Sequence, residues 1–272
     1  MARGDHQDDD HDFMELPRQN HATRRTTDGD EKKKRNRNRA SQERLTILTE
    51  GFTDDQKGAA AELGMQALMD VRCKNLVNPV CDWLGEIYEP ASREFVIPGR
   101  GRLPLDEESV FCTLGVPRGE IKVPYEGMKT HGEVFKMKLL MYLISAIFAS
   151  TTSLRPSNKC FPILAKLKEV KNMNWCKFIA DFLHDAFSNK MYQKGCRLHL
   201  MLMYVDRLGM STVDFTGIGG PPPPHKFVVS AWTYDAVKAV LAADKITDTK
   251  YGKLQLMAKH AIDYSVFGGP QN

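Results

Sequence analysis

The side chains of this chain with the types for bond-making chemistry fall into a few groups, and their spacing limits what each can do. Cys196, His199 and Asp206 hold the thiol, imidazole and carboxylate of a cysteine-protease set. All three lie in one apolar helical stretch, residues 195–208, and a single helix cannot converge them on a substrate bond. They read as a buried thiol, a core or partly exposed histidine and a helix-end carboxylate. Asp181, His184 and Asp185 form a ridge of metal-ligating types, but on a surface helix such a ridge is ordinarily solvated. Cys73 and Cys81 lack accompanying histidines at zinc spacing and read as core. A pyridoxal-phosphate site needs a phosphate cradle of backbone N–H groups; residues 217–220 are Gly-rich but run into four prolines, which have none. No catalytic residue, metal or cofactor is expected.

Cations offer more. Lys32, Lys33, Lys34, Arg35, Arg37 and Arg39 form a dense basic run, readable by a nuclear import receptor and able to displace counterions from phosphates. A solvated tail is the third reading. Arg100 and Arg102 alternate with Gly99 and Gly101 at the tip of an expected hairpin, which makes them candidate phosphate contacts. Pro221-x-x-Pro224-x-Lys226 formally fits the ligand of an SH3-type groove, although the Gly/Pro-rich stretch of residues 217–226 reads first as a linker.

The elements that must carry these groups are helical. A chain of 272 residues with 42% hydrophobic content can bury a substantial core, and a net charge of +4 does not by itself imply a nucleic-acid partner. Six cysteines without a C-x-x-C pair suit a reducing compartment. The opening residues resemble no secretory leader, and the longest apolar run, residues 139–149, falls short of the roughly 20 residues of a membrane span, so a soluble intracellular chain is expected. Residues 1–44 are too polar to bury a core and are expected to be disordered.

Order is expected from residue 45, with a core through residue 216 and a C-terminal helical segment of the same domain over residues 227–272. Thr53 and Gln56 spell a capping box, and Asn78 is positioned to cap a helix with Pro79 in its first turn. Residues 94–105 predict a hairpin, and Asp106 caps a helix ending at Gly115. Residues 131–150 predict a helix apolar on nearly every face, the expected centre of the bundle, and residues 161–170 a short helix. The strongest periodicity runs over residues 174–187, with Trp175, Phe178, Ile179, Phe182, Leu183, Ala186 and Phe187 on a face expected to be buried against 131–150 and 195–208. Thr233 caps a last helix. The expected fold class is mainly α, a multi-helix globular domain with a small β-hairpin.

Several marks fall in a recognisable order: Trp83-Leu84, Leu103-Pro104-Leu105, Leu114-Gly115-Val116-Pro117-Arg118-Gly119, Asn174-Trp175, Gly195-Cys196, Tyr204-Val205-Asp206, Trp232 and Tyr251-Gly252-Lys253-Leu254. Over about residues 45–260 the chain resembles the aminotransferase-like plant mobile domain family, plant proteins derived from or carried by transposable elements. The family's name does not establish transaminase activity. Some relatives carry a downstream Ulp1-type cysteine protease domain, which this chain stops too early to include; it also lacks the family's frequent long C-terminal region, so a truncated or decayed copy is expected.

The resemblance implies a non-catalytic, transposon-derived helical domain acting in the nucleus through protein or nucleic-acid contacts, with no membrane partner. The alternative is the recruiting module of a protease whose catalytic domain lies elsewhere. The basic run supplies a test. Replacing Lys32 to Arg35 with Ala is expected to leave stability within about 0.5 kcal/mol. If the run is an import signal, the change moves a fluorescent fusion from nucleus to cytoplasm. If it grips nucleic acid, the purified protein instead sheds DNA or RNA steeply as salt rises. Neither effect would leave a solvated tail.

Overall fold

The protein is described by a computed structural model over residues 42–123, 134–151 and 158–257. Within them run α1 (Gln42–Glu50), α2 (Asp54–Glu62), α3 (Asn78–Glu86), strands β1 (Tyr88–Glu89), β2 (Glu94–Ile97) and β3 (Gly101–Pro104), then α4 (Glu107–Leu114) and α5 (Val134–Tyr142). The chain continues through α6 (Phe161–Leu164), α7 (Trp175–Ser188), α8 (Arg197–Val205) and α9 (Tyr234–Asp244). The class is mainly α with one small antiparallel sheet.

Local chemistry sets most of the helix starts. The Thr53 hydroxyl accepts from the Gln56 amide while the Gln56 side chain accepts from the Thr53 amide, closing the expected box. Asp106 caps α4 in the same reciprocal way with Ser109, and Gly115 ends α4 in the left-handed conformation at φ 64°. Thr233 caps α9. Asn174 caps α7 through the Lys177 amide at 2.9 Å and donates its own amide N–H to Glu107 at 2.9 Å, tying α7 to α4. In the sheet, Phe95 lies opposite both Tyr88 and Leu103. Phe95, Ile97 and Leu103 are buried, and β1 is an addition to the expected hairpin.

The bundle's centre is α8. All nine of its residues are buried, and it packs against α3, α4 and α9. The apolar stretch of residues 134–149 is largely buried too, but it lies to one side and is not a uniform helix. After α5 the chain widens into a π-helical turn, Leu143–Phe148, closed by the Ala149 amide on the Ile144 carbonyl at 2.8 Å. That turn delivers Ser150 to Gly195: the Ser150 hydroxyl donates to the Gly195 carbonyl at 2.7 Å, and the Gly195 amide returns a bond of 2.8 Å.

Further expectations change. Residues before 45 are already helical, in α1 from Gln42. Asn78 is the first residue of α3 and makes no side-chain cap; its carbonyl instead receives the Arg197 guanidinium at 2.9 Å. Residues 161–170 do not make one helix but α6 followed by a 3-10 helix, Leu167–Asn172, because Leu167 and the buried Val170 share the three-residue spacing that a 3-10 helix eclipses. Phe178 and Phe182 are half-buried, while Trp175, Cys176, Ile179, Ala180, Leu183, Ala186 and Phe187 fill the interior. The buried stripe is rotated because α7 packs chiefly on α4, with Trp175 also meeting Phe148 at 5.5 Å between ring centroids. Residues 1–41, 131–133 and 258–272, with the expected tail and basic run, lie outside the described residues.

The rotated stripe can be measured. Leu183→Ala, at a fully buried position, is expected to cost about 2–5 kcal/mol. Phe182→Ala costs less, roughly 1–2 kcal/mol, because part of the ring already faces water. Gly195→Ala costs about 1–3 kcal/mol from overpacking, since Gly195 sits at φ +90° and a Cβ there would fall 2.5 Å from Leu183 Cδ2. Equilibrium denaturant unfolding orders the three.

Candidate functional site

The protease-like set does not converge. Cys196 enters α8 with its thiol buried and pushed up to about 12 by desolvation. His199, a turn further on, is fully buried with both ring nitrogens unbonded, and burial drives its pKa down to about 3. Asp206 ends the helix about 15 Å from Cys196. A thiol held protonated beside a neutral imidazole is a packing group rather than a nucleophile. Burial also raises Cys73, to about 12, and Cys81, and all six cysteines are free thiols.

On the α7 ridge, Asp181 is committed to cations. Asp181 receives Arg93 at 2.8 Å and Lys177 at 3.1 Å. Burial works to raise its carboxyl, but the bonds from Arg93 and then Lys177 outweigh this and hold it below the usual carboxylate range. His184 Nδ1 lies 2.9 Å from the Tyr88 hydroxyl, whose pKa desolvation raises to about 12. Among the described residues no group of three His, Cys, Asp or Glu side chains is arranged to hold a metal ion. At the hairpin, Arg102 is answered by Glu89 at 3.1 Å and Glu94 at 2.9 Å, so its charge serves the sheet. Arg100 is exposed at the turn between β2 and β3, beside the half-exposed Arg102.

Among the described residues, two surface clefts bear on function. Along the outer face of α7 runs a groove of about 860 Å³, with Lys122, Lys159, Lys177 and Lys194 around Phe178 and Phe182, and Asp181 and Asp185 on its wall. The second, of about 710 Å³, is lined by α1 residues Thr46, Thr49 and Glu50, by Lys57 and Arg72, and by Pro223 through Lys226.

One wall of that second cleft is latched by Asp206. Its Oδ1 accepts from Trp232 Nε1 at 2.8 Å and lies 3.2 Å from His225 Nε2. His225 Nδ1 lies 2.9 Å from the Pro223 carbonyl, so both ring nitrogens face acceptors, and only the doubly protonated imidazolium satisfies both. Burial lowers the His225 pKa, but the bonds to Asp206 and the Pro223 carbonyl, with the charge of Asp206, outweigh it and raise the value. The Gly/Pro stretch is thus fastened to the end of α8.

The class defined is a mainly helical domain with every thiol but that of Cys112 buried; no described helix is long and apolar enough to cross a membrane. The chain belongs to a family described as a domain of unknown function (DUF8566), matched over residues 38–133 and 126–201, which takes in α1 through the first half of α8. No curated protein and no solved structure matches it.

Sequence reasoning missed the groove lysines, which come from four separate parts of the chain and share no local pattern. It also missed the Asp206–His225 latch, whose only local signal was a histidine directly after four prolines. The two histidines give opposite pH dependences. The raised His225 value means its contribution is complete below the ordinary imidazole pKa and is lost as pH rises through the folded-state value. The depressed His199 value means stability is lost as pH falls from about 6.5 towards the folded-state value. Thermal melts across pH are expected to lose the alkaline decline in His225→Ala and to flatten on the acid side in His199→Leu.

Proposed function

We propose that the chain is a non-catalytic helical domain that works in the nucleus through protein or nucleic-acid contacts. The observation that carries this reading is the α7 groove, where four lysines surround two half-buried phenylalanines. Cations beside aromatic faces are the chemistry that phosphates and stacked bases, or acidic segments with apolar anchors, exploit. Asp181 pairs with Arg93 as well as Lys177, so it offsets only part of the groove's positive charge.

The resemblance to the aminotransferase-like plant mobile domain family supports the same reading, and with it a transposon-derived origin. Its marks fall at structurally demanding points. Gly115 takes a left-handed turn, Asn174 caps α7, Trp232 donates to Asp206, and Gly252 and Leu254 donate their amides to the buried Asp244. The basic run at Lys32 to Arg39 supports the nuclear assignment through its readability by an import receptor.

Binding measured by fluorescence anisotropy tests the groove. A single-stranded oligonucleotide or an acidic peptide is expected to bind with an affinity that falls steeply with salt. The Lys122→Glu/Lys177→Glu variant, altered only at exposed positions, is expected to bind about tenfold more weakly or worse, while losing the exposed Lys177–Asp181 pair lowers the melting temperature by no more than about 4 °C. Salt-insensitive binding, or no binding to either probe, would overturn the proposal.

A further inference from the structure

The Gly/Pro stretch expected to be a linker has the geometry of a presented ligand. Proline fixes φ near −65° and drives the residue before it into extended conformations, so Pro221 to Pro224 is built as polyproline II, a helix with three residues per turn. The exposure pattern follows that period: Pro222 and His225 are half-buried, whereas Pro221, Pro223, Pro224 and Lys226 are exposed. One edge rests on the domain and two face outward. The i, i+3 pair on one outward edge is Pro221 and Pro224.

The segment is held in place. His225 bridges Asp206 and the Pro223 carbonyl, and the next residue but one, Phe227, packs edge-on against Phe111 with ring centroids 5.5 Å apart. A partner therefore meets a strand already ordered, and binding avoids much of the entropy lost when a free peptide is fixed. Proline lacks the N–H groups that sheet addition needs, which rules out a partner that docks by extending a β-sheet and leaves recognition to ring faces and carbonyls. Lys226 completes the pattern. Its ammonium lies 5.5 Å above the Phe227 ring, and among the described residues no carboxylate pairs with it.

We propose that Pro221–Lys226 is a docking strand for a protein of the SH3 type, whose aromatic groove takes Pro221 and Pro224 and whose acidic pocket takes Lys226. The proposal rests on the reading of the chain as a contact-making domain and names one partner class for it. The strand shares no residue with the α7 groove, so either surface can fail without the other.

The test titrates the full chain into isotope-labelled SH3 domains chosen for carboxylates in their specificity pockets. Saturable shifts confined to the aromatic groove and the acidic pocket are expected. Pro221→Ala/Pro224→Ala and, separately, Lys226→Glu are each expected to weaken binding by about tenfold or more, whereas Pro223→Ala changes it by less than about threefold. All variants should keep the parent melting temperature. The absence of saturable shifts across the panel, or a loss with Pro223→Ala equal to that of the double variant, would overturn the assignment. The same losses with the oligonucleotide or acidic-peptide probe of the α7 groove would do so too, since they would mark a general disturbance of the surface.

Discussion

A helix buried on every side has to find partners inside the protein for any charge it carries, and the arrangement around α8 follows from that constraint. Arg197 is fully buried at the start of α8. Its guanidinium meets Asp82 at 2.8 Å, the Asn78 carbonyl at 2.9 Å and the Tyr192 carbonyl at 3.1 Å. Those contacts clamp the first turn of α3 and the α7–α8 connection onto α8 at one point, and Gln193 adds a bond of 2.6 Å to the same Asp82 carboxylate. Removing Asp82 would leave the buried Arg197 charge without its counter-ion, whereas Asp82, partly exposed, would keep contact with water, so the pair matters chiefly for placing the arginine.

The other end of α8 repeats the device with a carboxylate. Asp244, also fully buried, accepts from the Tyr204 hydroxyl at 2.5 Å and from the amides of Gly252 and Leu254 at 3.0 and 2.8 Å. Through it α8, α9 and the segment after α9 share one anchor. Burial, and then Asp244, raise the Tyr204 pKa, so the phenol keeps its proton and serves as a donor. Just beyond, Asp206 gathers Trp232 and His225. Polar groups along α8 thus pin four separate parts of the chain, while its apolar side chains supply the burial.

The exterior is shaped by the same packing. Because α7 lies on α4, its phenylalanines at 178 and 182 turn halfway out and form a groove floor in place of core. Because Asp206 captures His225, a stretch of glycine and proline that would otherwise wander becomes the wall of a cleft. Both surfaces are by-products of core anchors, so changes at Arg197 or Trp232 would reach them without touching either directly.

Sequence alone determined the features whose physics is local. The capping box at Thr53, the caps at Asp106 and Thr233, the hairpin between residues 94 and 105 and the all-round apolar character of α8 depend on groups a few residues apart, and each could be read in order. Only the tertiary structure decided which stripe of α7 is buried, since Phe178 and Ile179 are equally apolar and the choice rests with α4. It also decided that Asn78 spends its carbonyl on Arg197, that Arg102 answers Glu89 and Glu94, and that His225 finds Asp206. Those pairings join residues from 8 to 119 positions apart. Side-chain type fixes what a residue can bond, but the partner it meets is set by the packing of the whole core.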